Sequence, residues 1–212
     1  MAQFLILGDS ITYGSWDKIG GWVQRLRAFI EKKYPEEHLV YNLGVSADTT
    51  DSLLERLEFE IRKRGTERNK RRGSTTILIF QIGTNDSAIL SAKKGFWVSQ
   101  EKFRNNIKEM IKKSKKFTQK IFFVGLTPVD EDETHPVTWD KRVTYENSSI
   151  KKYNEILKEV CSAKNVHFIE IFDMFYKSNY KNLLQDGVHP NSEGHEKIFE
   201  TVKDYLIKNK II

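Results

Sequence analysis

The stretch Gln3-Phe4-Leu5-Ile6-Leu7-Gly8-Asp9-Ser10-Ile11-Thr12-Tyr13-Gly14 decides how the rest of this chain is read. Phe4 to Leu7 is an uninterrupted apolar run, the pattern of a strand buried on both faces, and Gly8, Asp9 and Ser10 break it at once with turn-forming residues. Ser10 therefore stands where a buried strand ends. In open α/β sheets ligands bind in the crevice at the carboxyl ends of the strands, so a hydroxyl there is placed for chemistry. By itself, Gly-Asp-Ser is also ordinary turn and helix-capping chemistry.

Beyond it, Val23, Leu26 and Ile30 have helical spacing over Gly21 to Tyr34, and Pro35 ends that helix. Leu39 to Asn42 is a short apolar run leading to Leu43-Gly44, and Ala47-Asp48-Thr49-Thr50 supplies turn and capping groups. The helix that follows, on Leu53, Leu57 and Ile61, is expected to run to about Arg64. Thr75 to Gln81 is the clearest buried strand and delivers Gly83-Thr84-Asn85-Asp86 at its end. Ala88 to Trp97 reads as irregular, Ser99 to Lys116 as a helix and Lys120 to Leu126 as a strand. Thr127 to Thr144 has no period, and a loop of that length is expected to form part of a pocket. A helix through Ile150, Tyr153 and Leu157, then a strand over Val166 to Ile171, lead to Asp186-Gly187-Val188-His189-Pro190. Asn191 or Ser192 caps a closing helix carrying Ile198 and Val202. Five strands alternating with five helices predict an α/β protein with a parallel sheet covered on both faces.

A chain of 212 residues supports one sizeable core, and the expectation is a single domain over 1–212. With 39% hydrophobic and 30% charged residues, 4 Pro and 12 Gly, collagen-like and mainly disordered readings are excluded. No apolar run approaches the ~20 residues of a membrane span, and the first strand begins without a charged leader, so a cytoplasmic protein is expected. The lone Cys161 falls on the apolar face of a predicted helix and is expected to be buried and inert.

A serine hydroxyl needs a base within hydrogen-bond reach to act as a nucleophile. Of the five histidines, His189 is the one in a plausible block: Asp186 precedes it by three residues, so one turn can present an imidazole and its orienting carboxylate. The order Ser, Asp, His is also that of α/β-hydrolases, but Gly8-Asp9-Ser10-Ile11-Thr12 lacks the second glycine of their nucleophile elbow.

Gly8-Asp9-Ser10, Asn42-Leu43-Gly44, Gly83-Thr84-Asn85-Asp86 and Asp186-Gly187-Val188-His189-Pro190 together resemble, in order, the four sequence blocks of the SGNH (GDSL-type) hydrolases. Ile11 replaces the name-giving leucine. The resemblance implies a flavodoxin-like three-layer α/β/α sandwich, with a five-stranded parallel sheet in the order 2-1-3-4-5 and Ser10 at the switch point. It also implies a carboxylic ester hydrolase with Ser10 as nucleophile, His189 as general base and Asp186 as orienter. The backbone N–H groups of Ser10 and Gly44 and the side-chain amide of Asn85 would form the oxyanion hole. No metal or organic cofactor is required. A small-molecule ester of a short acyl chain is the favoured substrate; lysophospholipids, thioesters and acetylated carbohydrates are the alternatives, with Trp16, Trp97 and Trp139 lining either an acyl groove or a sugar platform.

Two features point elsewhere. The basic segment Arg62 to Arg72 reads as a solvated helix end, and the competing reading is a non-catalytic protein that binds anions or nucleic acid through it. Aromatic residues for base stacking are absent from the run. The acidic run Asp130 to Glu133 beside His135 lacks recognisable metal-ligand spacing.

Overall fold

The computed structural model describes residues 1–66 and 73–212. The opening apolar run is strand β1 (Ala2–Gly8), followed by a single helical turn α1 (Ser10–Tyr13) and helix α2 (Gly21–Lys33). Next come β2 (His38–Gly44) and α3 (Thr50–Ile61), whose first turn is closed by a capping box between Thr49 and Ser52. Strand β3 (Thr75–Gln81) precedes two short strands, β4 (Ile89–Leu90) and β5 (Gly95–Phe96). Helix α4 (Gln100–Lys115), strand β6 (Ile121–Val124), a short helix α5 (Glu131–Thr134) and strand β7 (Val143–Thr144) follow. The chain continues through α6 (Asn147–Ala163), β8 (His167–Ile169) and α7 (Phe172–Tyr176) to α8 (Ser192–Lys208). Asn191 starts α8, its side chain accepting the N–H groups of Glu193 and Gly194, so the capping expectation is met at the first of the two residues named.

The main sheet is parallel, in the order β2-β1-β3-β6-β8, which is the order the family resemblance implies. Strict alternation of side chains sorts each strand between two layers. Leu5, Leu7, Leu78, Phe80 and Phe123 pack against Leu53 and Leu57 of α3, Met110 of α4 and Leu157 of α6. Their sequence neighbours Phe4, Ile6, Ile79 and Phe122 pack on the other face against Trp22 and Leu26 of α2 and Ile198 and Val202 of α8. That is why the strands read as continuous apolar runs. Cys161 is buried in the first layer, and burial pushes its thiol up to about 12, so the thiolate nucleophile is not accessible at neutral pH.

Registers place Gly8 opposite both Gly44 and Gln81, so β1, β2 and β3 end level with one another. Ser10, the loop after β2 and the loop after β3 therefore emerge side by side at one rim of the sheet.

Two expectations change. Ala88 to Trp97 is not irregular: β4 pairs antiparallel with β5 and with β7, so this segment and the aperiodic 127–144 loop form one small sheet over the rim. Strands of two residues are too short to show a period. Helix α3 ends at Ile61 and passes into a π-helical turn over Arg62–Thr66. The basic segment Arg62 to Arg72 lies partly outside the described residues; within them, Arg62 and Arg64 pair with Glu58 and Glu60 one turn earlier. Among the described residues no helix is long and apolar enough to cross a membrane.

Helices α2 and α8 meet at a buried histidine. His195 Nδ1 accepts the backbone N–H of Trp22 at 3.3 Å, and burial lowers its pKa to about 4. The folded protein thus holds a neutral imidazole that the unfolded chain protonates below about 6.5. The His195 contribution is expected to be complete above pH 6.5 and to be lost as pH falls toward 4, by up to about 3 kcal/mol. The difference in unfolding free energy between the protein and His195→Gln, followed by denaturant titration from pH 7.5 to 4.5, measures it; a difference that grows on acidification contradicts it.

Candidate active site

The turn from β1 into α1 sets the position of Ser10. Asp9 caps α1 by accepting the Ile11 N–H at 3.0 Å, and Thr12 Oγ1 donates to the Gln81 carbonyl at the end of β3. Asp9 is wholly buried, and burial raises its carboxyl to about 6 against the opposing pull of the Ile11 N–H. At the other end of the chain, Asp186 folds its own turn: Oδ1 accepts the N–H groups of Val188 (3.1 Å) and His189 (2.8 Å). Across the rim, Ser10 Oγ lies 2.8 Å from His189 Nε2, and His189 Nδ1 lies 2.8 Å from Asp186 Oδ2. Burial would raise the Asp186 carboxyl, but the His189 imidazole and the two backbone donors outweigh it and hold it below the usual carboxylate range.

Asn85 is the third element. Its Nδ2 donates to the Asp48 carbonyl at 2.9 Å, and its Oδ1 accepts the Tyr145 hydroxyl at 2.9 Å, which fixes which end of the amide is the donor. Burial raises the Tyr145 pKa, so its hydroxyl stays protonated and remains a donor to Asn85. Asn85 Nδ2 keeps a second hydrogen. Neighbouring Asp86 works structurally: both its oxygens accept the Thr50 N–H at 3.1 Å, docking the start of α3 onto this block.

Ser10, Asn85, Asp186 and His189 all line one open cleft of about 390 Å³. Gly44 does not line it. Its N–H donates to Asn42 Oδ1 at 3.0 Å, while Asn42 Nδ2 donates to the Tyr13 carbonyl. A Cβ at Gly44 would lie 2.7 Å from Tyr13 Cα and 2.8 Å from the Asp9 carbonyl oxygen. The close approach that the glycine permits is thus to the chain's own α1 turn, and the expectation of Gly44 as an oxyanion donor is corrected on that ground. From the same loop the residue lining the cleft is Ala47, held at φ +65°, whose N–H has no hydrogen-bond partner among the described residues.

Sequence reasoning missed three contributors. Ala47 offers a backbone group, which leaves no side-chain signature. Tyr145 lies beyond the aperiodic loop. Arg56, the one cation on α3, donates to Asp48 Oδ2 (2.8 Å) and to the carbonyls of Gly8 (3.2 Å) and Leu43 (2.9 Å), tying the ends of β1 and β2 to the loop that carries Ala47.

The 127–144 loop contributes Trp139, Asp140 and Val143 to the cleft, as expected of it. Its acidic run is engaged in docking: Asp130 and Asp132 both pair with Lys181, and the Asp130 N–H donates to the Gly187 carbonyl at 2.8 Å. Among the described residues no cluster of metal-ligand type is present.

A hydroxyl, an imidazole and a carboxylate in hydrogen-bonded sequence at the switch point of a doubly wound parallel sheet define a serine-hydrolase type of site. A model of the GDSL-like Lipase/Acylhydrolase family matches residues 6–197, and the chain belongs to that family. The multidomain esterase of Ruminococcus flavefaciens is 25% identical over 237 residues, a match covering 96% of this chain and 29% of that protein, so the chain spans under a third of this relative's length. Two solved structures share the fold. The lipase/acylhydrolase from Enterococcus faecalis has a TM-score of 0.76 at 23% identity, with 97% of this chain and 95% of that one covered. An acetylxylan esterase from Geobacillus stearothermophilus has a TM-score of 0.71 at 20% identity, with 94% and 91% covered.

Two substitutions separate the roles of the glycine and the alanine. Gly44→Ala is expected to destabilise the protein by about 2–3 kcal/mol through backbone overlap. Ala47→Gly, which relieves a left-handed alanine, is expected to raise stability by up to about 1 kcal/mol. Thermal and denaturant unfolding of both variants measures this; equal effects would contradict the assignment.

Proposed function

We propose that this protein is a serine ester hydrolase that removes a short acyl group from a hydroxyl-rich alcohol, through an acyl-enzyme on Ser10. The observation that carries the reading is the unbroken relay from Ser10 Oγ through His189 to Asp186, with 2.8 Å at each step. His189 Nε2 takes the Ser10 proton as Oγ attacks the ester carbonyl, and Asp186 holds the imidazole in the tautomer that leaves Nε2 free to accept it. Negative charge then develops on the carbonyl oxygen. The donors proposed to receive it are the Ser10 N–H, the Ala47 N–H and the second hydrogen of Asn85 Nδ2. The imidazolium returns its proton to the leaving alcohol, and water, activated by the same imidazole, releases the acid.

The cleft supports the substrate class by its contrast of surfaces. Asn85, Val143 and Tyr145 are buried and leave room for a small acyl group, whereas Trp16 and Trp139 stand at the rim 64% and 51% exposed. Broad exposed indoles beside polar groups such as Ser15, Ser46 and Asp140 suit the apolar faces and hydroxyls of a sugar better than an alkyl chain, which would need an enclosed apolar groove. The shared fold of an acetylxylan esterase is in keeping with this.

Ser10→Ala is expected to abolish turnover, and Asn85→Ala to lower kcat by about 10²–10³, the cost of one oxyanion donor. Across substrates, kcat/KM should be highest for acetylated xylo-oligosaccharides and should fall steeply from acetyl to decanoyl nitrophenyl esters. A rate that rises with chain length would remove the substrate assignment and leave the hydrolase reading standing.

A further inference from the structure

Trp16 combines features that an exposed aromatic residue rarely shows together. It sits at φ +66°, in the left-handed region that is strained for any residue with a Cβ. Although its side chain is largely in solvent, its indole N–H donates to Asp186 Oδ2 at 2.7 Å. Its ring also stands edge-on to the His189 imidazole, with centroids 6.2 Å apart and planes at 88°. The backbone strain is retained at a place where the ring touches two members of the relay and lines the cleft as well.

The hydrogen bonds of Asp186 show what the indole adds. A carboxylate offers about four acceptor positions on two oxygens. Oδ1 is occupied by the Val188 and His189 backbone N–H groups, and Oδ2 by His189 Nδ1 and Trp16 Nε1. Each oxygen therefore has two donors. The Asp186 side chain is 18% exposed, so loss of the indole would open one acceptor position to water beside the imidazole it has to orient.

We propose that Trp16 is a positioning residue for the hydrolysis: its indole N–H completes the set of donors on Asp186, and through that carboxylate it holds the His189 imidazole against Ser10. The inference rests on the serine hydrolase reading above. It extends the relay to a fourth member that also forms a wall of the substrate cleft. The charged and titratable groups that act on His189 are Asp186 on its own turn, Asp9 after β1 and His195 on α8, with Asp140 across the cleft paired to Arg142. Of these, Asp186 is the one the indole touches.

Trp16→Phe keeps an aromatic wall and removes the donor. A hydrogen bond to a charged group contributes about 1.5–3 kcal/mol, so kcat on nitrophenyl acetate is expected to fall about ten- to a hundredfold, with KM within about twofold. The acid limb of the kcat/KM profile should move to higher pH, because a carboxylate with one donor fewer holds the imidazolium more strongly. A change in KM alone, with kcat and the acid limb unaltered, would reduce Trp16 to a wall and overturn the proposal. In the unsubstituted protein, the Trp16 indole N–H resonance should titrate with His189 and lose that dependence in Asp186→Asn. An indole resonance indifferent to both also overturns the proposal, even if Trp16→Phe fails to fold. The two readings separate cleanly: full activity in Ser10→Ala removes the hydrolase reading, whereas an inactive Ser10→Ala beside an unchanged Trp16→Phe removes the Trp16 proposal alone.

Discussion

The site depends on how tightly the chain turns at the end of its central strand. Gly8 ends β1 between β2 and β3, where any Cβ would be driven into the Gln81 carbonyl oxygen and the Thr12 side chain. With that contact bare, the chain folds into α1 within one residue of Asp9, and Ser10 is delivered at the rim instead of being carried past it. Asp9 and Thr12 then fasten the turn from both sides. The nucleophile candidate is thereby built on a deeply packed central strand, whose residues Phe4 to Leu7 are wholly buried. A hydroxyl placed on so rigid an element can hold its geometry within the few tenths of an ångström that a relay requires.

The other groups reach Ser10 through separate fastenings. Arg56 binds the ends of β1 and β2 to the loop bearing Ala47. Tyr145 orients Asn85 from the segment beyond β7, and the antiparallel pairing of β4 with β7 holds that segment over the rim. The turn containing Asp186 and His189 is secured from the 127–144 loop by Asp130 at Gly187 and by Lys181 between Asp130 and Asp132. Lys181 is an exposed cation, so its worth lies in tethering two loops more than in stability. Disturbing any of these ties is expected to show in catalysis before it shows in folding.

The legible part of the fold was the part with long periods. Buried strands of seven residues such as Thr75–Gln81, and amphipathic helices with four-residue spacing, announced themselves through burial on two faces or on one. The sheet order came from the family resemblance, because periodicity carries no information on which strands are neighbours. The small sheet of β4, β5 and β7 escaped notice, since two-residue strands leave no alternation to count. At the site, Ser10, Asp186 and His189 are legible because their chemistry lies in their side chains, whereas the role of Asn85 rests on the family resemblance. Gly44 as an oxyanion donor comes from the family resemblance; the close backbone approach that a glycine allows there serves the chain's own packing. Ala47, Tyr145 and Trp16 act through a backbone N–H, a buried hydroxyl and an indole N–H, and none of those roles is written in residue type or spacing.

The central claim, that Ser10 is a nucleophile activated by His189, is tested most directly by covalent labelling. The protein treated with a fluorophosphonate should acquire one adduct, located by peptide mass spectrometry on Ser10, and the rate of its formation should collapse in His189→Ala. An adduct on another residue, or labelling undiminished in Ser10→Ala, would contradict it.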